Sequence, residues 1–194
     1  MANKIIDFFF ELGQLRKVKH AGMYLAGVKY PDSVAEHVHR AAEIAYVLAL
    51  LENVDPHKTT IMAVFHDNGE TRVLDSHRVA SRYINSKKGE KKAMLEQLEN
   101  LPAVAAKNLK DLFEEFEARK TREAQCVKDA DYLEQALTAR EYITQGYKEC
   151  QDWINNVRKA LRTQTAKKWL EEINKANPCE WWHGLKKLPK KDVK

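Results

Sequence analysis

The chain has 194 residues and a formal net charge of +5, which is the size of one domain with a modest preference for anionic partners. Hydrophobic residues make up 44% of the chain and charged residues 31%, so the composition excludes a chain that is disordered or membrane-embedded as a whole. No run of about 18 apolar residues is present, and the opening MANKIIDFFFELGQLRK is acidic and amphipathic where a signal peptide would be apolar, so we expect a cytoplasmic protein.

Helix-breaking residues are scarce, and this scarcity favours an all-α fold. Only 7 glycines and 5 prolines interrupt the chain. The 3 cysteines, Cys126, Cys150 and Cys179, are odd in number and include no C-x-x-C pair, which argues against a disulfide framework and a thiolate zinc site. We expect one helical domain at residues 1–180, followed by a solvated basic tail at residues 181–194.

Taken in chain order, the first half of the sequence predicts three helices. An amphipathic helix should end near Lys17, because apolar residues recur at helical spacing at Ile5, Ile6, Phe8, Phe9, Leu12 and Leu15. A basic, irregular stretch runs from Lys17 to Pro31. Ser33 followed by Glu36 is a capping-box pattern, which predicts a second helix over residues 34–51.

The third predicted helix begins at Asp55 and Pro56, since proline is tolerated at the first helical position. Its run IMAVF is apolar on every side, so we expect this helix to be central and buried. Residues 74–89 read as a loop or short helix. Further helices are predicted near residues 90–99, 102–118, 121–145, 149–161 and 164–175, with Gly146 closing the long helix before it.

A set of histidines and aspartates, scattered along the sequence, forms the candidate functional site. His37 lies early in the second helix, the pair His66-Asp67 ends the third, and the segment VKDADYLEQ supplies Asp129 and Asp131. A carboxylate at the inner end of a buried helix is costly unless a positive partner meets it, and a divalent metal ion is the simplest partner. A helix-capping or surface His-Asp pair would look the same in sequence.

The spacing of residues does not decide between Asp129 and Asp131. The two lie about 200° apart around a helix and cannot share a face. The apolar stripe of this helix leaves both aspartates on its flanks and consists of Cys126, Ala130, Leu133 and Leu137. A mixed shell of imidazole and carboxylate suits one divalent ion of Mn, Co, Fe, Ni or Zn, with Mg as a further candidate.

Three segments resemble the motif regions of the HD-domain phosphohydrolases, in the branch related to 5′-deoxynucleotidases. They are PDSVAEHVHRAAEIA, AVFHDNGETRVLD and VKDADYLEQALTAREY, and the match runs from about Leu15 to Tyr142. The resemblance implies a single-domain helical bundle of the HD type. It also implies that the metal ligands are His37, His66, Asp67 and Asp131, which leaves Asp129 as an ordinary solvated or helix-pairing carboxylate.

The same resemblance implies roles for two further acids. Glu70 would orient or deprotonate the attacking water, and Asp75 would take part in catalysis close to the sugar of the substrate. This chain departs from the family before its first motif, where relatives present an Arg and a Trp and this sequence has KVKHAGMYL. Substrate phosphate would then be bound by Lys17, Lys19 or His20, and Met23 stands about where the aromatic residue is expected.

The expected function is metal-dependent removal of phosphate from a small nucleotide, by resemblance a 2′-deoxyribonucleoside 5′-monophosphate. One alternative keeps the site and changes the ester to a cyclic nucleotide, a guanosine polyphosphate or a nucleoside triphosphate. A non-enzymatic helical module that binds nucleic acid is the other alternative, suggested by the lysine tail and by Trp181-Trp182. We expect no membrane partner, and the family resemblance implies a homodimer.

Overall fold

The computed structural model describes residues 4–185, and within these residues the chain is built from helices. The α-helices are α1 Lys4–Leu12, α2 Ala21–Leu25, α3 Val34–Leu51, α4 Pro56–Phe65, α5 Glu70–Val73, α6 Ser86–Leu98, α7 Ala103–Ala118, α8 Arg122–Thr144, α9 Gln151–Ala160 and α10 Gln164–Ile173. Short 3-10 turns lie at Gly13–Arg16, Ala80–Arg82, Lys148–Cys150 and Glu180–Trp182. The prediction of an all-α fold is confirmed.

Local side-chain caps start the two helices that carry most of the site. At the start of α3, Ser33 Oγ accepts a hydrogen bond from the Glu36 backbone N–H at 3.3 Å, and Glu36 Oε2 accepts one from the Ser33 N–H at 2.6 Å. This is the predicted capping box. At the start of α4, Asp55 Oδ1 accepts from the backbone N–H groups of His57 and Lys58. Both helices therefore begin where the sequence predicts.

Helix α8 is the centre of the bundle, and α3, α4, α7, α9 and α10 pack around it. Its inner face carries alanines with no exposed surface, at Ala130, Ala136 and Ala139, so the neighbouring helices can approach closely. Large buried side chains fill the space between these helices, among them Leu48, Leu133, Ile154 and Leu170. This packing holds the inward faces of α3, α4 and α8 against one another.

Helix α4 is less buried than its apolar run predicts. Met62 and Ala63 are buried, but Ile61 is 45% exposed and Val64 is 41% exposed. The expectation of burial on every side is wrong, because α3, α7 and α8 pack against one side of α4 and leave the other on the surface. The irregular stretch after Lys17 differs as well, since it contains the short helix α2.

None of the helices in the part of the chain that the structure describes is long and apolar enough to cross a membrane. The predicted basic tail falls outside these residues from position 186 onward, while Trp181 is described and is 76% exposed.

Candidate active site

The four residues expected to bind metal lie together where three helices meet. His37 comes from the first turn of α3, the pair His66-Asp67 directly follows α4, and Asp131 lies on α8. His37 Nε2 is 3.5 Å from Asp67 Oδ2 and 3.4 Å from Asp131 Oδ1. His66 Nε2 is 3.0 Å from Asp67 Oδ2. Ring and carboxylate atoms thus converge on one point.

The imidazole of His66 is held with one nitrogen aimed at this point. Its Nδ1 lies 2.7 Å from the carbonyl oxygen of Ala63, an acceptor only, so Nδ1 carries the proton and donates it. Nε2 then has a free lone pair. This atom is buried, and no residue at positions 4–185 makes a hydrogen bond with it. The lone pair of this buried nitrogen, which lies 3.0 Å from Asp67 Oδ2, is oriented as a metal ligand requires.

His37 is oriented by Glu134, a residue to which the sequence analysis assigned no role. His37 Nδ1 contacts Glu134 Oε2, which leaves Nε2 facing Asp67 and Asp131. Glu134 is 1% exposed and is held in turn by Arg40, whose Nη2 donates to Glu134 Oε1 at 2.7 Å. The signal that could have identified Glu134 is its position three residues after Asp131, one helical turn away on the same side of α8.

The residues present fit a divalent metal ion. One ligand atom from each of His37, His66 and Asp67 lies within 4.8 Å of the other two. Asp131 stands beside this trio and also contacts Lys128 Nζ. Burial would raise the pKa of Asp131, but the charge of Lys128 and a hydrogen bond with His37 hold that pKa well below its usual range. The carboxylate is therefore charged, and its two oxygens accept from Lys128 and from Gln135 Nε2, the latter at 2.8 Å.

Asp129, expected from the sequence to be a solvated or helix-pairing carboxylate, faces away from this cluster and is not solvated. It is 1% exposed. Its carboxylate accepts backbone N–H hydrogen bonds from Arg162 at 3.0 Å and from Thr163 at 2.7 Å, just before α10 begins. The solvated alternative is wrong because α10, distant in sequence, packs against this side of α8, and Asp129 accepts from the two amides that precede α10.

Glu70 begins the short helix α5 beside the metal-binding cluster. Its Oε2 is buried and has no hydrogen-bonding partner among the residues of the described chain. Burial raises the pKa of Glu70 well above its usual value, and the charges of Asp67 and Asp75 raise it further. The carboxylate of Glu70 is therefore a stronger proton acceptor than an ordinary surface carboxylate.

Asp75 and His20 connect the loop after α5 to the segment before α3. Asp75 Oδ2 accepts a hydrogen bond from the Ala21 backbone N–H at 2.6 Å. His20 Nδ1 lies 3.1 Å from Asp32 Oδ2, and the His20 ring is 4.6 Å from the His37 ring between centroids. Burial lowers the pKa of His20, but the hydrogen bond to Asp32 and the charges of Asp32 and Asp75 together outweigh burial, so the pKa is raised overall. Both residues therefore border the site.

The cluster opens into a cavity of about 870 Å³, which is large enough for a nucleotide. Glu70, Asp75 and His20 line it, whereas Lys17 and Lys19 are exposed and do not. The cations that do line the cavity are Arg78, Arg82, Lys87, Arg119 and Lys128. Sequence reasoning missed these five because they come from separate loops and helices and form no local motif.

Family comparison agrees with this geometry. A model of the HD domain family matches residues 12–174. The chain belongs to the HD-domain family. The resemblance inferred from the three motif segments is thereby confirmed, and the matched region includes every residue of the cluster and of the cavity wall.

Relatives of this HD-domain chain carry the name of a nucleotidase. The 5′-deoxynucleotidase HDDC2 of Dictyostelium discoideum is 34% identical over 149 residues, covering 72% of this chain and 78% of the relative. The human 5′-deoxynucleotidase HDDC2 is 31% identical over 142 residues, covering 73% of this chain and 69% of the relative. These names agree with the expectation of a hydrolase.

A solved structure supports the fold of this HD-domain chain over nearly its whole length. A conserved hypothetical protein from Pyrococcus furiosus is similar to it, with a TM-score of 0.74 and 28% sequence identity. The similarity covers 88% of this chain and 99% of the other.

Proposed function

We propose that this HD-domain protein is a metal-dependent 5′-nucleotidase that acts on 2′-deoxyribonucleoside 5′-monophosphates. The observation that carries the proposal is the convergence of His37, His66 and Asp67 at the floor of a cavity of about 870 Å³. The names of the relatives support the same substrate class, since those proteins are called 5′-deoxynucleotidases.

The metal ligands in this proposal are His37, His66, Asp67 and Asp131. Two imidazoles and two carboxylates favour one divalent ion of Mn, Co, Fe, Ni or Zn, with Mg as a further candidate. When bound, such an ion supplies Lewis-acid chemistry that polarises a phosphate oxygen and makes water more acidic. The tautomer of His66, with Nδ1 donating to Ala63, leaves the correct nitrogen free for this role.

Glu70 handles the proton of the attacking water in this mechanism. Water attacks phosphorus, the bond from phosphorus to the 5′-oxygen breaks, and the Glu70 carboxylate takes the proton that water loses. The raised pKa of Glu70 lets the carboxyl group hold this proton and return it to the departing sugar oxygen. Asp75 would accept a hydrogen bond from a sugar hydroxyl through the oxygen that Ala21 does not occupy.

In this proposal, positively charged groups that line the cavity bind the substrate phosphate. His20 keeps the phosphate-binding role expected from the sequence, since it borders the cluster and its pKa is raised. Lys128 and Arg119 supply further positive charge from α8 and from the end of α7. We transfer to these residues the role first expected of Lys17 and Lys19, because the latter two lie outside the cavity.

A substrate screen on defined metal forms tests the function. The protein is stripped with a chelator, reloaded with one ion at a time and supplied with phosphate esters, and released phosphate is measured. We expect turnover of 2′-deoxyribonucleoside 5′-monophosphates that disappears with the metal. Faster turnover of a cyclic nucleotide, guanosine polyphosphate or nucleoside triphosphate would support the first alternative. Salt-sensitive oligonucleotide binding without any turnover would support a nucleic-acid module.

An apolar groove of about 630 Å³ supports self-association. Helices α1, α3 and α4 line it, and Val47 and Val64 within it are 47% and 41% exposed. A patch of this kind on a soluble protein marks an interaction surface, and we infer that a second copy of the chain covers it. Sedimentation should give a dimer that Val64→Asp converts to a monomer. Val104→Asp, at an exposed valine outside the groove, should leave the dimer intact.

A cytoplasmic location also remains part of the proposal. Cys126, Cys150 and Cys179 are all free thiols, which suits a reducing compartment. Fractionation of cells that produce the protein should recover it with the cytosol and not with membranes or the medium.

A further inference from the structure

A second cavity of about 350 Å³ adjoins the first and continues it toward α9. The two cavities share wall residues, including His20, Asp75, Lys128 and Tyr132. A ligand bound at the metal cluster can therefore extend past His20 and Asp75 without leaving the protein. None of the four expected metal ligands lines the second cavity.

The residues that line only the second cavity differ in chemistry from those that line the first cavity. This wall contains no lysine or arginine among the residues that the structure describes, and apolar side chains dominate it, namely Met23, Leu25, Val79, Trp153 and Val157. Asn156, Asp152 and His77 provide the polar groups of this wall. The cations Arg78 and Lys128 lie in the shared part. The unshared part therefore suits an uncharged, flat, partly polar group and does not suit a phosphate.

Trp153 is fixed in this wall by the glycine opposite it. A Cβ atom at Gly22 would lie 3.1 Å from Cζ2 of Trp153, closer than an ordinary contact. The bare backbone of α2 thus lets the indole lie against it, and the half-buried ring also contributes to the wall. Asn156, one turn further along α9, donates a hydrogen bond from Nδ2 to Asp152 Oδ2 at 2.8 Å, which orients its amide.

We propose that this second cavity is the nucleobase subsite, with Trp153 as the stacking surface and Asn156 as a polar contact at its rim. The inference rests on the proposed function, because it takes a nucleotide with its phosphate at the metal cluster. The phosphate then lies among the cations, the sugar passes His20 and Asp75, and the base reaches the aromatic end. Every base has a π face, so the subsite accepts purines and pyrimidines alike.

The test compares a nucleotide with the same ester that lacks a base. The metal-loaded protein is supplied with 2′-deoxyadenosine 5′-monophosphate and with 2-deoxyribose 5-phosphate, and kcat/KM is measured for both. Trp153→Ala should lower kcat/KM for the nucleotide by about 10-fold to 100-fold, the range of a lost base–aromatic stack, and leave the baseless ester within about 3-fold. Trp153→Phe should recover most of the loss. Trp169→Ala is the matched control, since Trp169 packs in the same core but does not line either cavity.

Equal losses for the two esters, or no loss for either, would overturn the subsite while leaving the nucleotidase in place. Binding gives a second readout that needs no turnover. 2′-Deoxyadenosine should quench the tryptophan fluorescence of the wild-type protein and not that of Trp153→Phe. Quenching that persists in Trp153→Phe would contradict the proposal. Absence of nucleotide hydrolysis combined with Trp153-dependent quenching would count against the proposed function and not against the subsite.

Discussion

The Nδ1 atom of His37 contacts Glu134 Oε2, so the Nε2 atom of His37 faces Asp67 and Asp131. Carboxylates in this position fix the tautomer and the ring orientation of a ligating histidine. Arg40 and Thr138 hold Glu134 from the other side, with Thr138 Oγ1 donating to Glu134 Oε1 at 2.9 Å. The geometry of the candidate metal site thus depends on a residue that would not touch the ion.

Glu134→Gln should weaken metal binding by about 10-fold to 100-fold, the usual effect of removing such a partner. The amide keeps the shape but no longer accepts the His37 proton as a charged group. Metal affinity is measured by competition with a chelating dye. Asp67→Ala, which removes an expected metal ligand, is the reference for complete loss of metal binding. Glu141→Gln is the control, because Glu141 contacts Arg40 and is 40% exposed. Equal affinity in Glu134→Gln and the wild-type protein would show that Glu134 has no such role.

Asp131→Asn and Asp129→Asn should fail in different ways. Asp131→Asn should lose metal and activity, since it removes a charged group 3.4 Å from His37 Nε2. Asp129→Asn should keep both at low temperature but lower the free energy of unfolding by about 1–3 kcal/mol, because a buried acceptor of the Arg162 and Thr163 amides is altered. Elemental analysis and thermal unfolding separate the two effects. The reverse pattern would transfer the ligand role to Asp129.

Glu70→Gln should retain stoichiometric metal and substrate affinity while its turnover falls by about 100-fold to 10,000-fold, the range for loss of a general base. The amide preserves the shape of Glu70 but cannot take a proton from water. Glu99→Gln, at an exposed glutamate of the same type, is the control. Loss of metal in parallel with activity would instead make Glu70 a ligand, and unchanged turnover would remove it from the mechanism.

The cysteines should react with alkylating reagents according to their burial. Burial raises the pKa of Cys126 to about 12 and that of Cys150 to about 11, so near neutral pH neither thiol forms much of the reactive thiolate. Mass spectrometry of the folded protein should find rapid labelling of the exposed Cys179 alone, with activity unchanged. Cys179→Ser should abolish this rapid labelling. Fast modification of Cys126 in the native state would contradict the packing of α8.

Local signals in the sequence determined the helices and the family. Three signals act within a few residues of a helix end: the capping box at Ser33 and Glu36, the Asp55-Pro56 start and the glycine after α8. The local sequence alone therefore predicts where α3 and α4 begin and where α8 ends. The order of His37, His66-Asp67 and a later aspartate likewise predicted a metal site, and the metal role of these residues remains a prediction.

Only the tertiary structure decided which side chains meet. Periodicity left Asp129 and Asp131 equivalent, and the packing of α10 and α3 against opposite sides of α8 separated them. The cations of the cavity and the place of Trp153 beside Gly22 were equally invisible in sequence. The physical reason is distance along the chain: a cap or a helical stripe forms between near neighbours, whereas a site forms between residues that only packing brings together.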